Sequence, residues 1–156
     1  MEAIAQFHPI VVHFPIVLFI IYMLFEIAGV VLKNEFYSKA AYILLILGVV
    51  SAIGAVLTGN QAEEVAEHWL DKGIGFGDVL EAHEEYAIFT LWYFFAILVA
   101  RTYFVVKKKF VGTIKIVFAV LALVGTFLVF ETGEHGGELV FKYGVGTEVI
   151  QNSVTE

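Results

Sequence analysis

Five histidines are the residues of this chain whose chemistry most needs an explanation. His8 and His13 stand at the mouth of a long apolar run, FHPIVVHFPIVLFIIYMLF, and His83 stands just before another such run. An ionisable group near hydrocarbon is costly and usually faces a partner or the interior of a helix bundle. Neutral imidazole is a common ligand of metal ions and of haem iron. The pattern therefore favours a metal or haem site within a membrane protein.

No established metal motif contains these histidines. The stretch HEEYA from His83 lacks the second histidine of a zinc protease, and no histidine has a glutamate three residues before it, as di-iron bundles require. Glu64 with His68, and Glu131 with His135, lie one helical turn apart, a spacing more typical of solvated faces. The chain has no cysteine, which excludes thiolate ligands and c-type haem attachment.

Four apolar runs are the elements that must position the histidines. Hydrophobic residues make up 60% of the chain and charged residues 16%, with a mean hydropathy of +0.85, whereas soluble domains average about 25% charged residues. Each run is close to the ~20 residues that a helix needs to cross a bilayer. The predicted spans are residues 9–32, 40–57, 86–106 and 110–130.

Short connections join the first span to the second and the third to the fourth. They predict an all-α membrane protein, a four-helix up-down-up-down bundle that forms one domain over residues 1–156. Residues 58–83 are predicted as an outer connection that begins with a short surface helix. Residues 131–156 are predicted as an outer tail that folds back onto the mouth of the bundle.

The basic residues are unequally divided between the two ends of this bundle. Only Lys72 and Lys142 lie at the histidine end. The opposite end carries Lys33, Lys39, Arg101, Lys107, Lys108, Lys109 and Lys115. Because lysine and arginine mark cytoplasmic loops, both termini and all the histidines are predicted to face outward from a plasma (inner) membrane. Glu26, deep in the first span, is predicted to pair with Arg101 or Lys33, or to snorkel.

Histidines from different spans can approach one iron from opposite sides. The first and third spans lie diagonally in an up-down bundle, so His13 and His83 are the first predicted axial pair. His8 and His135 are predicted as a second pair or as a gate over the first, and His68 is the weakest candidate ligand.

The start of the first span shows how its two histidines could differ in direction. His8 and His13 are about 140° apart around a helix, so they cannot share one ligand direction unless the helix is disturbed. Pro9 and Pro15 allow such a disturbance. Space for a flat macrocycle would come from small residues, although ordinary helix packing is the stronger interpretation of these stripes alone. The stripes are Gly48, Ala52, Ala55 and Gly59 in the second span, and Ala119, Ala122, Gly125 and Gly133 in the fourth.

The motifs HPIVVHFPIVL, TGNQAEE, AHEEYA and GGELVFKYGVGT occur in this order over nearly the whole chain. Together they resemble the DUF2231 family of small membrane proteins. The resemblance implies four spans, outward-facing histidines and b-type haem binding, with His8, His13 and His83 as the family histidines. Family members often have histidine before Gly-Val-Gly, where this chain has Tyr143. Either His135 substitutes for that ligand, or the protein holds fewer cofactors.

The leading hypothesis is a membrane b-type cytochrome that carries electrons rather than catalysing a reaction. One or two haem b groups near the outer face would pass electrons between quinone in the lipid bilayer and an outer redox protein. Protons would be handled by Glu63, Glu64, Glu84 and Glu131.

Two alternatives remain open. One is a non-haem copper or iron ion held by the same histidines, and the other is a non-redox protein that forms an ion or proton path or a structural subunit. The sequence also leaves open whether the histidine pairs meet within one chain or across a homodimer. The net charge of −7 argues against nucleic acid as a partner.

Overall fold

The computed structural model describes residues 2–70 and 75–147, and within them all regular secondary structure is helical. The helices are α1 (Glu2–Ala5), α2 (His8–Val11), α3 (His13–Val31), α4 (Glu35–Leu70), α5 (Gly77–Val106) and α6 (Thr113–Phe141). Four segments are long and apolar enough to cross a membrane, namely His8–Val31 and the helices α4, α5 and α6. The predicted class, an all-helical membrane bundle, is confirmed.

The helices α3 and α5 face each other across the diagonal of the bundle. Each of them packs against both α4 and α6, as the up-down order predicts for the first and third spans. Phe19 of α3 and Phe94 of α5 are buried and stack across this diagonal, with their ring centroids 3.6 Å apart. The middle of the bundle is therefore closed by aromatic rings.

Small residues make room for this aromatic pair. A Cβ atom on Gly48 would lie 2.6 Å from the ring of Phe19, and one on Gly125 would lie 2.5 Å from the ring of Phe94. Gly133, by contrast, has no neighbouring atom within 4 Å of such a Cβ position. In the middle of the bundle, the small residues therefore serve helix packing, because side chains fill the space that these residues leave.

The spanning helices continue well beyond the predicted outer ends of the apolar runs. α4 extends without a break from the second span to Leu70, α5 begins at Gly77 and α6 ends at Phe141. With 36 residues, α4 is about 54 Å long, whereas the hydrocarbon layer is about 30 Å thick. Much of the predicted outer connection and tail is therefore helix that extends the bundle beyond the apolar runs. The sequence did not predict this, because hydropathy marks the lipid-facing part of a helix and not its ends.

A second small core closes the outer end. Ala66, Phe76 and Leu139 are buried together, and Tyr143 and Val145 pack against them. The Val145 N–H donates to the Leu139 carbonyl at 3.0 Å, which turns the chain back after α6. Of the predicted tail, residues 131–141 continue α6, and Tyr143 and Val145 turn back against the end of the bundle. Residues 71–74 of the predicted connection and 148–156 of the predicted tail lie outside the described residues.

The lysine-rich end holds a buried ion pair between α3 and α5. Glu26 and Arg101 are almost fully buried, and the Arg101 guanidinium donates to the Glu26 carboxylate. A second nitrogen of Arg101 donates to the Ser38 carbonyl at 2.7 Å. Glu26 therefore pairs with Arg101, one of the two partners predicted for it.

Candidate functional site

The candidate site is a pair of histidines at the end of the bundle opposite the lysine-rich end, formed by His8 of α2 and His83 of α5. Their ring centroids are 6.4 Å apart and the ring planes are inclined by 76°. Both side chains are half-buried. The pair bridges the same diagonal as Phe19 and Phe94, but at the end of the bundle where the helices outrun the apolar layer.

Helix α6 fixes the orientation of His83. Its Nδ1 lies 3.0 Å from the Thr132 carbonyl oxygen, and since a carbonyl can only accept, Nδ1 carries the proton. This approach depends on Gly136, because a Cβ atom there would lie 2.9 Å from His83 Cε1. The lone pair of His83 is consequently on Nε2, which has no hydrogen-bond partner among the described residues.

Helix α4 fixes His8 in the same way. The Nδ1 atom of His8 lies 3.1 Å from the hydroxyl oxygen of Thr58. That hydroxyl donates to the helix carbonyls of Gly54 and Ala55, at 3.1 and 2.9 Å, so it accepts from His8. A Cβ atom on Gly59 would lie 3.1 Å from His8 Cε1. His8 therefore also presents its lone pair on Nε2.

Metal-binding histidines usually donate their other ring N–H to an oxygen in this way. A hydrogen bond from the distal ring nitrogen fixes the tautomer and makes the other nitrogen a stronger ligand. Two imidazoles that ligate one metal from opposite sides have ring centroids roughly 6 Å apart, given metal–nitrogen bonds of about 2.0 Å. The observed 6.4 Å matches that separation. His8 and His83 thus lie at a separation that would allow both rings to ligate one metal, with Nδ1 of each ring bonded to a neighbouring helix.

A bare metal ion and haem differ in the number of ligands that they need from a protein. Across residues 2–70 and 75–147, no group of three or more His, Asp or Glu side chains is arranged to hold a metal ion. Bare transition-metal ions in proteins usually take more than two protein ligands. Haem brings its own equatorial nitrogens and needs only axial ligands from the chain.

His13, the predicted partner of His83, lies elsewhere. Its side chain is exposed, and its Nδ1 donates to the Pro9 carbonyl at 2.6 Å. The helix is interrupted at Val12, between α2 and α3, and Pro15 has no N–H to offer the helix. The structure therefore brings His83 next to His8 rather than His13, because the interruption at Val12 does not rotate His13 onto the face of the bundle that His8 occupies.

Of the remaining histidines, His135 lies close enough to His83 for an electrostatic interaction, but its ring packs against another partner. His135 stacks on Tyr86, with ring centroids 4.9 Å apart, and its Nδ1 donates to the Glu131 carbonyl at 2.8 Å. His68 is exposed on α4. The ring neighbour of His8 is His83 rather than His135, and a role of His135 as a gate over the pair stays a prediction.

Two of the predicted proton-handling carboxylates, Glu63 and Glu84, interact with each other across α4 and α5. Glu84 follows His83 on α5, and its side chain interacts with Glu63, which lies one turn after Gly59 on α4. Glu64 is exposed and Glu131 is half-buried. Their role in proton transfer stays a prediction.

Sequence reasoning did not identify Thr58, Thr132 and Gly136 as parts of the site. The available signal was a threonine close to a glycine at the outer end of the second and fourth spans, in TGN and in TGEHGG. A threonine that bonds to its own helix is also common in ordinary spanning helices. The pattern becomes informative only when a histidine of another helix is found against it.

Comparison with known proteins gives a family but no characterised relative. A family model described as "Predicted membrane protein (DUF2231)" matches residues 5–149. The match includes both paired histidines and both threonines that fix them. No curated protein and no solved structure matches the chain.

Proposed function

This chain belongs to the DUF2231 family of predicted membrane proteins, and we propose that it is a membrane b-type cytochrome in which His8 and His83 ligate haem iron. The observation that carries the proposal is the 6.4 Å separation of the two rings, with both Nδ1 atoms held by neighbouring helices. The protein would carry electrons between membrane quinone and a redox protein on the outer side.

The residues around the pair would hold the ligands ready before the cofactor arrives. The Thr58 hydroxyl and the Thr132 carbonyl keep both rings in the tautomer that ligates through Nε2. Gly59 and Gly136 let the rings lie against the helix backbones. Haem b would supply one-electron redox chemistry when bound. Since His13 is exposed and His135 stacks on Tyr86, the arrangement supports one haem rather than two.

The location of the pair suits exchange with both a lipid-soluble and a water-soluble partner. The histidines lie near the predicted ends of the apolar runs of α4 and α6, where a quinol at the bilayer boundary could approach them. Quinol oxidation releases protons together with electrons, and the interacting carboxyl groups of Glu63 and Glu84 would accept them. The excess of lysine at the opposite end supports an outward orientation of the site in a plasma membrane.

An absorption spectrum tests this function directly. We expect protein purified in detergent from haem-supplied cells to show a Soret band and a reduced-minus-oxidised difference spectrum of a b-type cytochrome, with about one haem per chain. A quinol should reduce the haem. A protein with no Soret band, and no gain of one on adding hemin, would refute the proposal. Metal analysis of the same sample would then separate a copper or non-haem iron site from a non-redox protein.

A pair of glycine variants tests the support of His83. Gly136→Ala should weaken hemin binding roughly tenfold, because loss of a contact that holds a metal-binding histidine typically lowers the metal affinity by about this factor. The reason is that the added methyl would meet the ring of His83. Gly137→Ala is the control, since no atom lies within 4 Å of its Cβ position. Hemin titrations should give equal affinities for this control and the parent protein, and equal losses in both variants would contradict the assignment.

A further inference from the structure

A cleft at the lysine-rich end, opposite the histidine pair, is not used by the proposed function. It has a volume of about 230 Å³ and lies between α4, α5 and the segment that joins α5 to α6. Three cationic residues line it, Lys39, Arg101 and Lys108, against a single acidic residue, Glu35.

Arg101 lines the cleft with a donor that lacks a partner. Two nitrogens of its guanidinium are engaged with Glu26 and Ser38, but the buried Nε has no hydrogen-bond partner. The group is held in place by Phe110, whose ring centroid lies 4.4 Å from the guanidinium carbon. A buried donor without an acceptor is destabilising. The fixed guanidinium thus forms part of the wall of the cleft.

The charge in the cleft is positive and largely uncompensated. Its acidic residue, Glu35, is bound to Lys115 of α6, whereas Lys39 and Lys108 have no ion pair among the described residues. Lys108 adopts a left-handed backbone conformation, with φ of 54°, which is uncommon for a residue other than glycine. Lys108 thus lines the cleft from the turn between the two helices.

We propose that this cleft binds the phosphate of an anionic phospholipid. Arginine and lysine donors are suited to phosphate oxygens, and basic pockets between spanning helices at the cytoplasmic side are typical sites for anionic head groups. The walls favour a lipid over a soluble anion, since Val105 and Val111 line the cleft and are 38% and 62% exposed. Acyl chains could continue from the cleft over these side chains onto the apolar surface of the bundle.

Native mass spectrometry of the detergent-purified full chain tests the proposal, with phosphatidylglycerol and phosphatidylcholine as the added lipids. We expect the parent protein to retain phosphatidylglycerol preferentially. The double variant Lys39→Gln, Lys108→Gln should lose roughly tenfold in apparent affinity for it, since each basic residue near an anionic lipid surface contributes appreciably to binding. The matched control is Lys107→Gln, Lys109→Gln, which removes the same charge from exposed lysines that do not line the cleft.

Comparison with the control variant, and competition by a soluble anion, distinguish the possible results. Equal losses in both double variants would mean general attraction to the basic end, and no loss in either would leave the cleft without a role; each result overturns the proposal. Inorganic phosphate is expected not to displace phosphatidylglycerol. If phosphate displaces it, and stabilises the parent protein but not the Lys39→Gln, Lys108→Gln variant in a thermal melt, the ligand is a free anion and the lipid assignment fails. The measurement is independent of haem, because the cleft and the histidine pair lie at opposite ends.

Discussion

Haem binding is expected to be lost when either His8 or His83 is replaced by alanine, whereas the His13→Ala protein should keep its haem. Removal of an axial ligand should weaken hemin binding by at least roughly a hundredfold. This loss is larger than that expected for a group that only holds a ligand in place. The physical reason is that each ring would supply one of the two ligands of the iron. A neighbouring helix holds each ring through its Nδ1 atom, which leaves Nε2 to bind the iron. The measurement is the haem-to-protein ratio after purification, together with hemin titration of each apoprotein.

The His13 variant separates the pairing seen in the structure from the pairing predicted from the sequence. Loss of haem in His13→Ala, with retention in His8→Ala, would restore His13 as the axial ligand and refute the assignment made here. His68→Ala is a matched control, because it removes an exposed imidazole from the same end of the bundle. All variants should be compared at equal fold content, measured by far-UV circular dichroism.

The second large effect is expected at the buried ion pair. Replacing either Glu26 or Arg101 by leucine should lower the free energy of unfolding by about 3–5 kcal/mol, because the remaining charge is left buried without its partner. The double variant Glu26→Leu, Arg101→Leu should recover most of this loss, since buried ion pairs can often be replaced by apolar side chains at little cost. Unfolding of the detergent-solubilised protein by denaturant or heat provides the measurement.

The ion pair between Lys115 and Glu35 offers a control at the same end of the bundle. The Glu35 side chain is 67% exposed, so Glu35→Gln should cost no more than about 1 kcal/mol. A Glu26→Leu variant that is as stable as Glu35→Gln would show that the buried pair is not a main support of the fold. A double variant less stable than either single variant would show that the pair is irreplaceable.

The chain thus has a polar centre at each end of one diagonal, separated by packed aromatic rings. Phe19 and Phe94 close the middle, which keeps hydrated groups at one end apart from those at the other. A b-type cytochrome with this arrangement would exchange electrons at its outer end only. The lysine-rich end would serve to anchor and orient the bundle.

Several features of the fold could be predicted because they depend on local sequence. Apolar runs give the four spans, basic residues distinguish their ends, and the alternation of direction places α3 and α5 on a diagonal. The lengths of the helices could not be obtained in this way. The outer turns of α4 and α6 are polar on much of their surface, and they are held as helix partly by the contacts of Ala66 and Leu139 in the small outer core.

The candidate site could likewise be predicted only in part from the sequence. The residue types and their common end of the bundle follow from the sequence alone, since burial of an imidazole near hydrocarbon is costly wherever it occurs. Which two rings meet was decided only by the tertiary structure. The break at Val12 sets the rotation of α2 relative to α3, and Gly59 and Gly136 allow His8 and His83 to lie against the neighbouring helices. Helix rotation and close approach depend on contacts between distant parts of the chain, which spacing along one helix does not encode.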